Sequence, residues 1–249
     1  MNCLLPGAEA REARRTGPPE DVAARLGGRP APRSISRLPC RWILDGGLRS
    51  FRSEPAYAGR STAALKILLA VALAAEDGDP EEDGPVAALL SYAQIGALAG
   101  LSSPVLSAGK RLLATQGLIA VSQEGQGRRV RYRLTDAPGP ARYARIAHAP
   151  IDPSAPDASL SDLHRFTSRY ARDCNALKLY ALLCALADRR GTVASLSCAE
   201  IAARTNMSET KARGAVETLD ADGLAIARET DFRLIPGHIA HSFAVRPLR

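Results

Sequence analysis

Residues 91–134 read as two short helices, a tight turn between them and a two-stranded hairpin, and the chain carries this unit twice. In the first copy the sequence runs SYAQIGALAG, then LSSPVLSAGKRLLATQG, then LIAVSQEGQGRRVRYRL. Ser91 with Gln94 predicts a capping box, in which the two side chains satisfy N–H groups left open at a helix start. Gly100 suits the left-handed residue that ends a helix. Ser102 is the expected cap of the second helix, with Pro104 in its first turn, and Gly117 is its expected end. Leu118 to Ser122 and Arg129 to Leu134 alternate as strands around the Gly-containing turn 124–127.

The second copy appears at a shift of 106. Ser91 falls on Ser197, Gln94 on Glu200, Ile95 on Ile201, Ser102 on Ser208, Leu113 on Leu219 and Gly117 on Gly223. Gly100 falls on Asn206, the other residue that tolerates a left-handed backbone. The helix before each unit repeats too, with Ala64-Leu65-Lys66 over Ala176-Leu177-Lys178 at a shift of 112. An acidic loop about six residues longer in the first copy accounts for the difference.

The unit resembles a winged helix-turn-helix domain, the DNA-binding module of many bacterial regulators. The resemblance covers residues 61–134 and 175–247 and implies two tandem winged helix-turn-helix domains, mainly α with small β wings. On that plan residues 1–40 are a disordered basic arm, 41–136 the first domain, 137–159 a linker and 160–249 the second domain. The arm is rich in Arg, Pro, Gly and Ala with little periodicity to bury. An unstructured tail without function is the plainer reading of it. Trp42 is expected to dock on the first domain. Ser61 is the expected cap of an apolar helix to about Glu76, followed by a loop with six acids between Glu76 and Asp83. Val86 to Leu90 and Tyr143 to Ala147 are expected as further strands, and Leu160 to Asp173 and Asn175 to Asp188 as helices.

Charge narrows the function classes. The net charge is +7 and the pI about 9.5, which suits a polyanionic partner. Aromatic residues are 4% of the chain, too few for a single-strand stacking groove. Five cysteines without a CxxC pair argue against a disulfide framework. The apolar run Ala63 to Ala75 is short and contains Lys66, and no signal-peptide layout is seen, so the expectation is a cytoplasmic protein with no membrane partner. No GxxxxGK[ST] or GxGxxG loop is present. His238 and His241 lack the third ligand of a zinc site. No enzyme, cofactor or metal is implied.

In a winged helix the second motif helix enters the major groove and the wing lies along the backbone. Here that helix turns Leu106, Gly109 and Leu113 inward and Ser103, Ser107, Lys110 and Arg111 outward. Strand periodicity puts Val130, Tyr132 and Leu134 on the core face and Arg129, Arg131 and Arg133 on the other, with Arg128 at the turn. A solvated strand face is the plain alternative; the adjacent cationic helix favours phosphate contact. The second copy offers Thr210, Lys211 and Arg213 against Glu209 and Glu217, and both a second DNA contact and a protein-binding face stay open. Double-stranded DNA is the expected partner, most simply in transcription control. Two other classes share the tandem plan: plasmid or phage replication initiators, and winged-helix scaffold subunits that bind proteins, here through domain 2. A symmetric homodimer is a further expectation.

Overall fold

A computed structural model describes residues 34–75, 86–123, 129–153, 155, 158–230 and 240–249. The first copy opens with α2 (Pro55–Leu73), followed by β2 (Ala87–Ser91), α3 (Tyr92–Ala99), α4 (Ser103–Thr115), β3 (Ile119–Gln123) and β4 (Arg129–Leu134). The second repeats that order as α6 (Ala171–Leu186), β6 (Thr192–Ser197), α7 (Cys198–Thr205), α8 (Glu209–Ala221), β7 (Ala225–Thr230) and β8 (Ala240–Val245). Their antiparallel sheets have matching orders, β2-β4-β3 and β6-β8-β7. Outside the repeat, β1 (Ser34–Pro39) pairs with β5 (Tyr143–His148), and α1 (Arg41–Leu44) and α5 (Ser161–Arg165) precede the two copies.

Local chemistry fixes the motif boundaries. Both capping boxes form: Ser91 with Gln94, and Ser197 with Glu200. Gly100 has φ 59° and Asn206 φ 54°, so both helices end on a left-handed residue. Replacing Ser91 or Ser197 by Ala is expected to cost about 1 kcal/mol each in urea unfolding. An unchanged midpoint in both variants would show that the caps contribute nothing.

Several expectations are corrected. About 48% of the described residues are helical and 24% are strand, a mixed α/β content rather than mainly α. The strand content is raised by β1, β2, β5 and β6, which lie outside the two hairpins. The unstructured arm cannot extend to residue 40, because Ser34–Pro39 is a strand and Cys40 is buried. Residues 1–33, the acidic loop 76–83, the turn 124–127, Arg128 and His238 lie outside the described residues. The strand expected at Tyr143 to Ala147 is present within 137–159 as β5. Ser61 does not start α2; that helix begins at Pro55, whose ring presets the first turn, and Ser61 is buried within it. Ser102 occupies the cap position of α4 but accepts no side-chain hydrogen bond there. The helix expected over Leu160 to Asp173 breaks after Arg165, where the Asp173 carboxylate takes the Thr167 N–H and hydroxyl at 2.7 and 3.0 Å.

The two copies share one core. By length and composition α2 could cross a membrane, yet it is buried on several sides, against α4 and against α6. The packing is reciprocal. Trp42 is buried with its ring centre 5.7 Å from that of Phe51, while α1 packs on α6 and the 3-10 turn Gly47–Ser50 on α7, both in the second copy. In return α5 packs on α3, where His164 Nε2 lies 2.7 Å from the Ala97 carbonyl. Lys66 of α2 donates to the Phe166 carbonyl ahead of α6 at 2.9 Å, and Cys174 of α6 approaches the Arg52 carbonyl ahead of α2 at 4.0 Å. Each copy thus holds the segment that leads into the other, as partners do across a two-fold interface.

Candidate nucleic-acid interface

Helix α4 is set by what it buries. Leu106, Gly109 and Leu113 face inward. Gly109 lies so close to α2 that an added Cβ would sit 2.8 Å from the Ala63 carbonyl carbon and from the Ala64 nitrogen. With that side fixed, Ser103 and Arg111 are exposed and Ser107 and Lys110 half-buried.

Tyr92 is a residue the sequence reading missed. Its hydroxyl donates to the Ser103 carbonyl at 2.9 Å, and the Lys110 ammonium lies 5.2 Å from its ring centre. The contact holds the start of α4 and the cation together. An aromatic residue directly after a helix cap, in so aromatic-poor a chain, was the available signal.

Strand β4 is central in its sheet. Tyr132 and Leu134 are buried and Val130 is half-buried, which leaves the three arginines on the opposite face. Arg129 and Arg133 are exposed; Arg131 is half-buried. Their cross-strand neighbours are small or modest in size: Ser91 opposite Arg129, Leu89 and Ser122 beside Arg131, Ala87 and Ala120 beside Arg133. Ser91 is followed directly by Tyr92, so one junction links Arg129 on the strand to Lys110 on the helix. Beside it a cleft of about 330 Å³ is lined by Arg129, Leu89, Gln94, His148 and Asp152.

The second copy lacks this arrangement. Leu134 pairs with Ile119 as Val245 pairs with Ala225, and Arg129 with Ser91 as Ala240 with Ser197. The positions matching Arg129, Arg131 and Arg133 are therefore Ala240, Ser242 and Ala244, a shift of 111 rather than 106. On the helix, Ala215 replaces Gly109, a buried Val216 replaces Lys110 and Glu217 replaces Arg111. Thr210, Lys211 and Arg213 are exposed, as their spacing implied. Arg213 stands one helical turn from both Glu209 and Glu217, which offset its charge. It also lies against Cys198, the residue matching Tyr92. Burial pushes that thiol up, while Arg213 draws it down. Lys211 adds to the groups that hold Glu54 below the usual carboxylate range, after that residue's own backbone N–H and Arg52. Arg228 is exposed on β7, and His241 stacks near Phe243 at 5.9 Å.

Comparison with protein-family models and with curated proteins found no match for this chain.

Proposed function

We propose that this chain is a tandem winged helix-turn-helix protein that binds double-stranded DNA in a sequence-specific manner, most simply to control transcription. One observation carries the reading. The first copy joins a cationic helix to three arginines on one strand face, and the second copy, of matching topology, has Ala240, Ser242 and Ala244 in their place. If the arginines only kept a strand face solvated, the second copy would need them as much. On this reading α4 enters the major groove with Ser103, Ser107, Lys110 and Arg111 toward the bases, and Arg129, Arg131 and Arg133 hold the phosphates.

A second reading, a plasmid or phage replication initiator, draws support from the reciprocal packing of the copies. Two reading helices held in one body would suit adjacent repeats at fixed spacing. A third, a protein-binding scaffold, draws support from Glu209, Val216 and Glu217 on α8. Selection of bound duplexes from a randomised library at a stated salt concentration, followed by footprinting, separates them. A single enriched site supports regulation, and an array of direct repeats supports initiation. Enrichment of no duplex, with a co-purifying protein, would overturn the DNA reading.

A further inference from the structure

The β1–β5 ribbon belongs to neither copy of the repeat, and its outward face concentrates arginine. Inward it buries Ser36, Leu38, Ala144, Ile146 and His148, with the Ser36 hydroxyl 2.9 Å from His148 Nε2. Outward, Arg37 lies directly opposite Arg145 in the strand register. Like charges so placed weaken a strand pair unless something offsets them. The Arg37 guanidinium carbon lies 5.0 Å from the Tyr143 ring centre on the same face. Arg142, just before β5, is exposed, and its carbonyl accepts the Cys40 N–H at 2.9 Å, which pins the backbone there. The acids at the junction of β1 and α1 are committed there. Asp45 pairs with Arg41 at 3.6 Å, and Asp136 accepts the Arg41 and Trp42 N–H groups at 3.0 and 2.8 Å. Among the described residues no acidic side chain forms an ion pair with Arg142 or Arg145.

The ribbon also adjoins the first copy's arginine strand. Its end residues Ser34 and His148 line the same cleft as Arg129. We propose that the ribbon is a second phosphate-contact surface, in which Arg37 and Arg145 on its outward face and the exposed Arg142 at its end hold the backbone of duplex DNA flanking the site bound by the first copy. This inference rests on the DNA-binding reading. Guanidinium groups match phosphate oxygens in planar, paired hydrogen bonds. The one aromatic ring on the face is occupied by Arg37, so no platform remains for stacking unpaired bases, and duplex backbone is the partner that fits.

The test uses the full chain, the R37A/R142A/R145A variant and two duplexes. One carries only the selected site; the other extends it by about 15 base pairs on each side, somewhat more than a helical turn. On the long duplex the variant is expected to lose about tenfold in affinity and to reduce the salt slope by roughly two to three. On the short duplex it should match wild type within about twofold, by the same contact arithmetic. The charge-retaining R37K/R142K/R145K variant should recover most of the slope, and circular dichroism should show both variants folded at the assay temperature. Wild-type binding with no loss on the long duplex, or with equal loss on both, overturns the ribbon contact alone. Failure of the wild-type chain to bind any duplex overturns both readings.

Discussion

Gly109→Leu is expected to lower the unfolding free energy by about 3 kcal/mol or more, the upper range for overfilling a packed site. The atoms in the way are backbone, the Ala63 carbonyl carbon and the Ala64 nitrogen at 2.8 Å, and a side-chain rotamer change cannot clear them. Either α4 separates from α2 or the variant fails to fold. If it folds, α4 is displaced and DNA affinity falls with stability. The control is the glycine in the other copy. Gly214 sits inside α8, and a Cβ there meets nothing within 4 Å. Gly214→Ala should therefore stabilise the chain by about 0.5–1 kcal/mol, the helix preference of alanine over glycine. Urea midpoints of the two variants should move in opposite directions. A shift of the same sign in both would contradict the close α2–α4 approach.

The second large effect is in the pH dependence of stability. Lys66 and Lys178 occupy matching positions of α2 and α6, and each is only 1% exposed. Burial pushes Lys66 down to about 8, with Asp173 partly opposing, and pushes Lys178 down to about 8, with Cys174 and Glu54 opposing. A free lysine titrates near 10.4. Between these values the unfolded chain binds more protons than the folded one, so stability rises with pH from about 8 toward 10.4 and is lost as pH falls through 8. The buried thiols act in the opposite sense. Burial raises Cys40 and Cys174 to about 11 and Cys184 to about 12, so their contribution falls as pH rises above the unfolded thiol value near 9. The lysines dominate between about pH 7.5 and 9, where stability is expected to climb by on the order of 1–2 kcal/mol. K66M/K178M keeps the volume and removes both charges, at the cost of leaving the Phe166 carbonyl without its donor. Its stability should no longer rise over the same interval and should fall slightly toward pH 9 under the thiols, and a slope equal to wild type would refute the assignment.

The sequence made legible what is decided within one turn of chain. Capping side chains, left-handed residues and the bounds of β4 depend on neighbours three or four positions away. The inward set Leu106, Gly109, Leu113 followed from helical period alone. What escaped depends on distant partners. Ser34–Pro39 is too short and too polar to declare itself, and becomes a strand through Tyr143–His148, more than a hundred residues on. Trp42 signalled burial, but the packing of its helix α1 on α6 was not legible, because an apolar surface carries no address and α6 lies in the other copy. Arg213 was legible as an exposed cation, while its approach to Cys198 needed the fold. The match of the arginine strand to Ala240, Ser242 and Ala244 was hidden by five extra residues in the second hairpin, one in β7 and four between β7 and β8, which defeat a constant shift.

That last comparison sets the decisive measurement. Affinity for the selected duplex should be followed against salt for wild type, for K110A/R111A/R129A/R133A in the first copy, and for T210A/K211A/R213A in the second. Each lost phosphate contact lowers the salt slope by roughly one. The first-copy variant is expected to lose up to about four in slope and on the order of a hundredfold in affinity, and the second-copy variant no more than about two in slope. Equal slopes in wild type and the first-copy variant would contradict the assignment of DNA binding to α4 and β4.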